Sequence, residues 1–99
     1  MTNRLPTRVE VGPLVYTVRT AEITDFGGCD HDQTRINVRR GMSRATTSEV
    51  LFHEIGHAVA ELVGLGLTDK QEERVMKVLM PALLDTLRRN PKLRDYLFN

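Results

Sequence analysis

A small α+β domain is the fold this chain predicts, and three observations carry that expectation. Alternating, β-branched segments gather in the first part of the chain, capping signals and helical periodicity fill the rest, and 99 residues leave room for about one domain. Residues 1–8 are polar and interrupted by Pro6, so they read as a flexible leader, with a single domain over residues 9–99. Val9 and Val11 precede a Gly12-Pro13 breaker, and Val15, Tyr16, Thr17 and Val18 follow it, which suggests two short strands. Gly27-Gly28-Cys29-Asp30-His31-Asp32 is turn-rich. It opens onto Thr34 to Arg39, where period-two alternation turns Ile36 and Val38 toward the core.

Helical signals take over after Gly41. Thr46 with Glu49 has capping-box spacing ahead of an apolar periodic run from Val50 to Val63, and Gly64-Leu65-Gly66 offers a left-handed stop. Thr68 with Gln71 repeats the box and starts a second helix through Val75, Leu79, Leu83 and Leu87, with Pro81 as an expected bend. Asn90-Pro91 reads as a cap with proline at the first helical position, opening a short helix to Phe98.

Composition excludes several function classes. With 40% hydrophobic and 27% charged residues the chain resembles ordinary globular proteins, which argues against intrinsic disorder. Fourteen basic against thirteen acidic residues leave +1, so no strong field attracts nucleic acid or an anionic membrane, and neither is an expected partner. Cys29, the one cysteine, cannot form an intramolecular disulfide, which fits a reducing cytoplasm. No apolar stretch approaches the roughly 20 residues of a spanning helix.

His53-Glu54-Ile55-Gly56-His57 is an HExxH pattern inside the first expected helix. Shuffling a chain of this composition produces the pattern in about 0.6% of cases. Histidines four apart share a helix face with Cβ atoms about 5 to 6 Å apart, so both can reach one Zn²⁺. Glu54, about 100° around the helix, falls beside the metal, where a carboxylate can act as general base on an activated water. Leu51, Ile55, Ala58, Val59 and Leu62 form a core stripe on the opposite side. Gly56, Ala60 and Gly64 leave room on the histidine flank for a metal, a second helix or a substrate backbone.

A catalytic zinc site needs a third protein donor. The metzincin continuation is absent, because Val63 and Ala60 stand where its histidine and glycine would be. Asp69, Glu72 and Glu73 remain, at the start of the second helix. Arg74, Lys77, Asp85 and Arg88 define the solvated side of that helix, and Glu72 shares the opposite side with Val75, Leu79 and Leu83. A carboxylate there calls for a cation, so Glu72 is the first candidate, Glu73, rotated toward solvent, the second, and Asp69 the third. His31, between two aspartates, reads as a solvated turn histidine, and Cys29 as a small buried hydrophobe. Tyr16 and Tyr96 could each supply a hydroxyl to a developing oxyanion, although core or interface roles suit both.

Taken together, the two strands, the Gly27-Gly28-Cys29-Asp30 turn, Ile36-Asn37-Val38, Leu51-Phe52-His53-Glu54-Ile55-Gly56-His57-Ala58, Glu72-Glu73 and Asn90-Pro91 resemble small phage-type zincin-like metallopeptidases. The likeness spans nearly the whole chain from Val9. More distantly the chain is similar to the ImmA/IrrE metallopeptidase group, in which a glutamate on the helix after HExxH completes the zinc site and Leu-Met-Pro follows, as Leu79-Met80-Pro81 does here. It departs in carrying Arg74 where that group has asparagine, and in the fourteen residues between His57 and Glu72. The resemblance implies a small antiparallel sheet packed on the HExxH helix, with Thr34 to Arg39 as an edge strand offering backbone groups to an extended peptide. The expectation is therefore a zinc-dependent metallopeptidase acting on a peptide or protein: His53, His57 and Glu72 hold the metal and Glu54 is the general base. The alternative is a catalytically silent, zinc-stabilised binding or assembly module of phage or prophage origin.

Overall fold

Four strands and three helices follow one another as β1 (Arg8–Val11), β2 (Leu14–Ala21), β3 (Gly27–Asp30), β4 (Arg35–Arg39), α1 (Arg44–Val63), α2 (Asp69–Arg89) and α3 (Pro91–Phe98) in a computed structural model that describes residues 4–99. The α+β class follows from the sequence as expected. Of the leader assigned to residues 1–8, Met1–Asn3 lie outside the described residues. The remainder is tied down: Leu5 packs on the core, the Thr7 carbonyl accepts a hydrogen bond from the Val18 N–H, and β1 already begins at Arg8.

The sheet is mixed, not antiparallel, with strand order β1-β2-β4-β3. β1 and β2 form an antiparallel hairpin. The chain then crosses to the far edge, returns as β3 antiparallel to β4, and inserts β4 beside β2, so that β2 and β4 run parallel. The edge expected at Thr34 to Arg39 is therefore an inner strand, and the segment read as a turn, Gly27 to Asp30, is the edge. Central placement suits β4, because Ile36 and Val38 are both fully buried. With Val11, Tyr16, Val18 and Ala58 they make the core, and Leu51 and Ile55 of α1 pack against it, so three members of the expected α1 stripe face the core, whereas Val59 and Leu62 are exposed.

Helix α1 is capped by Ser43, whose side chain accepts the Thr46 N–H, three residues earlier than the Thr46 cap expected. It ends where Gly64 takes the left-handed conformation at φ 60°, and the Leu65 N–H bonds back to the Ala60 carbonyl. The Thr68–Gln71 capping box starts α2 as expected, and the helix continues through Pro81. Helix α1 lies between the sheet and α2, and Gly56 meets the Met76 and Met80 side chains of α2. A methyl group there would collide with the Met76 sulfur and stand 3.1 Å from Met80 Cε. Of the small residues on the histidine flank, Gly56 thus makes room for a second helix, whereas Gly64 faces open space. No helix among the described residues is long and apolar enough to cross a membrane.

Candidate metal centre

Two turns of α1 and the first turns of α2 bring four side chains together. His53 and His57 project from the same face of α1 with their Nε2 atoms 3.2 Å apart. Across from them Glu73 of α2 places Oε1 3.1 Å from His53 Nε2 and Oε2 3.0 Å from His57 Nε2. One ligand atom from each of His53, His57 and Glu73 lies within 4.8 Å of the others, a grouping that could hold a metal ion.

Glu72 has a different place from the one the sequence suggested. Its Oε2 lies 2.6 Å from His57 Nδ1, on the far side of the ring. His57 thus presents Nδ1 to Glu72 and Nε2 to His53 and Glu73. Two imidazole nitrogens and a carboxylate converge within 3.2 Å, and such a group could hold a metal ion. The carboxylate grouped with the two histidines is thus Glu73, the second choice, while Glu72 contacts His57 from the other side of the ring. Asp69 is exposed in the first turn of α2 and is not among the converging donors.

The reason for the exchange lies in the rotation of α2. Met76 is the buried residue of this helix, with Met80, Leu84 and Leu87 partly covered, whereas Leu79 is 57% and Leu83 43% exposed. The stripe facing α1 therefore runs through 76, 80, 84 and 87, about 100° from the one inferred, and Glu73 stands one turn before Met76 on it. The Met76 contact with Gly56 sets this rotation. The methionine line was readable in the sequence, and paired with Gly56 it would have selected Glu73.

Glu54 is 8% exposed and lines a cleft of about 610 Å³ that also receives His53, His57 and Glu73. Burial pushes its carboxyl up to about 7, with Glu73 adding to the rise and His57 opposing it. His53 moves the other way: burial lowers its pKa, and the neighbouring His57 lowers it further, against the opposing pull of Glu73 and the Met76 backbone. A neutral imidazole is the form that ligates a metal.

Strand β3 closes the other side of the cleft. Gly27 lies over α1 so closely that a Cβ on it would sit 2.6 Å from Val50 Cγ1 and 3.3 Å from Glu54 Oε2. The Arg39 N–H bonds to the Phe26 carbonyl, which makes Gly28–Asn37 and Asp30–Arg35 the hydrogen-bonded pairs of this antiparallel ladder. The N–H and C=O of Gly27 and Cys29 consequently point away from β4, toward the free edge. Arg39 also holds the preceding loop, through a bond to the Thr24 carbonyl and a guanidinium 4.8 Å from the centre of the Phe26 ring.

The lesser candidates fall outside the cleft. His31 is not simply solvated: its Nδ1 is hydrogen-bonded with the Tyr16 hydroxyl at 3.2 Å and lies 3.6 Å from Cys29 Sγ. Burial pushes the Cys29 thiol up to about 12, which keeps it protonated and unreactive. Tyr16 is a core residue, as one of its two readings had it, and Tyr96 is 83% exposed on α3. Compared with protein-family models, curated proteins and solved structures, the chain finds no match.

Proposed function

We propose that this chain is a zinc-dependent, zincin-like metallopeptidase that hydrolyses peptide bonds, with His53, His57 and Glu73 holding the metal and Glu54 as general base. One observation carries the reading: a three-donor cluster, closed on His57 by Glu72, opens onto a cleft beside a buried carboxyl that is not one of the donors. Two histidines and a carboxylate suit zinc, and a set of three protein donors leaves a coordination position for water. Zinc bound there would acidify that water and polarise a carbonyl oxygen.

The chain's own residues supply the rest. Glu54, with a carboxyl that titrates near neutrality, takes a proton from the attacking water and returns it to the departing amine. Glu72 keeps the His57 ring in one tautomer and one orientation. The outward backbone groups of Gly27 and Cys29 can pair with an extended peptide, and bare Gly27 lets that strand pass close to Glu54. A peptide or protein is thus the proposed substrate, and a cytoplasmic setting belongs to the same proposal.

The test is Glu54→Gln against His53→Ala in purified protein. Glu54→Gln is expected to bind one equivalent of zinc and to cleave nothing in a mixed-sequence peptide library that the wild type cleaves. His53→Ala is expected to lose both properties. Cleavage retained by Glu54→Gln would overturn the mechanism.

A further inference from the structure

We propose that Lys77 is the cation that stabilises the oxyanion formed when water attacks a peptide carbonyl in this cleft, an inference that rests on the peptidase reading above. The helical pattern assigns Lys77 to the solvated side of α2, and it is exposed there, at the rim of the cleft that His53, Glu54, His57 and Glu73 also line. It follows Glu73 by four residues, so the two side chains leave one face of α2 about a turn apart.

Glutamate four residues before lysine is the favourable arrangement for a helical ion pair. Here the pair is not made. Glu73 directs Oε1 to His53 and Oε2 to His57, and among the described residues no carboxylate comes within ion-pair distance of Lys77. The cluster therefore takes up the anion that would neutralise Lys77 and leaves an ammonium free beside it. Among the described residues lining the cleft it is the one lysine or arginine. The tyrosines that could have served are elsewhere, Tyr16 bonded to His31 and Tyr96 out on α3.

The chemistry has a use for such a group beside the metal. As the water oxygen bonds to the carbonyl carbon, the C=O electron pair moves onto oxygen and the water's proton passes to Glu54. When the C–N bond breaks, the carbonyl re-forms and that proton leaves with the amine. Lys77 stays protonated throughout and meets the negative charge only while it exists, the condition for lowering a barrier and not merely tightening binding. A flexible four-carbon stem lets the ammonium reach that oxygen from one turn away.

The test compares wild type, Lys77→Met and Lys77→Arg as zinc-loaded full-length proteins with two probes. One is a tripeptide with a phosphonate replacing the scissile amide, which carries the tetrahedral anionic oxygens, and the other a hydroxamate of the same peptide, which chelates without them. Lys77→Met is expected to bind the phosphonate at least about tenfold more weakly, to bind the hydroxamate and zinc as before, and to lose on the order of 10²-fold in kcat with little change in KM. Lys77→Arg should recover most of the phosphonate affinity. Equal phosphonate affinity in wild type and Lys77→Met overturns the Lys77 assignment alone. A wild-type protein that takes up no zinc overturns the peptidase reading with it.

Discussion

Glu72 Oε2 lies 2.6 Å from His57 Nδ1, on the opposite side of the imidazole from the Nε2 that Glu73 approaches at 3.0 Å. Two consecutive residues of α2 thus bracket one ring. Their removal should have different consequences. Glu73→Ala deletes a donor and is expected to abolish stoichiometric zinc binding. Glu72→Ala leaves the donors in place but frees the ring, and should weaken zinc by about 10- to 100-fold while one equivalent still binds. Competition titration with a chromophoric chelator measures both. If Glu72→Ala proved the more damaging, the donor assignment would have to be reversed.

The Glu54 carboxyl gives the metal-free protein a pH dependence of known sign. Its pKa rises from 4.5 to about 7 because burial penalises the charged form. Between those values the folded chain keeps a proton that the unfolded chain releases. The stabilisation from neutral Glu54 is therefore complete below about pH 4.5 and is lost as pH rises through about 7. Glu54→Gln removes this dependence, so its melting temperature should gain on that of the wild type across the interval and hold the gain above it. Parallel melting curves at every pH would show that Glu54 is not buried as described.

What the sequence made legible was local. The i, i+4 histidines, the Thr68–Gln71 box, the Gly64 stop and the alternation of Ile36 and Val38 each depend on neighbours within a turn or a strand, and each stands where it was expected. What escaped was long-range. Gly27-Gly28 carries no β-branched residue, so the edge strand looked like a turn, and the parallel pairing of β2 with β4 has no signature in either segment. Glu72 was preferred to Glu73 because α2 is apolar around much of its circumference, with Val75, Met76, Val78, Leu79 and Met80 interrupted only by Lys77. Periodicity cannot fix the rotation of such a helix. Its packing partner does.

That partner makes the next prediction. Gly56 is buried against Met76, itself 3% exposed, and Met80, so a methyl group at position 56 has no free space to enter. Gly56→Ala should force the Met76 and Met80 side chains to repack between α1 and α2 and cost about 1 to 3 kcal/mol of stability, although alanine is the better helix former. Because Glu73 reaches the histidines from α2, zinc affinity should fall as well. Gly56→Ala combined with Met76→Ala, which makes room for the methyl, should recover part of the zinc affinity. A Gly56→Ala protein with wild-type melting and zinc binding would mean that the two helices do not meet at this glycine.

The edge strand yields the last prediction, and it separates neighbours one residue apart. In the ladder between β3 and β4 the Gly28 and Asp30 amides are paired, while those of Gly27 and Cys29 face outward. Amide exchange followed by NMR should find slow exchange at Gly28 and Asp30 and fast exchange at Gly27 and Cys29. A zinc-loaded protein with a phosphonate peptide in the cleft should then protect Gly27 and Cys29 and leave Gly28 and Asp30 as they were, because strand addition uses only the outward groups. Protection spread evenly along β3 would mean that the strand is merely stiffened. No added protection at Gly27 and Cys29, with the probe bound, would place the peptide elsewhere in the cleft and remove β3 from substrate recognition.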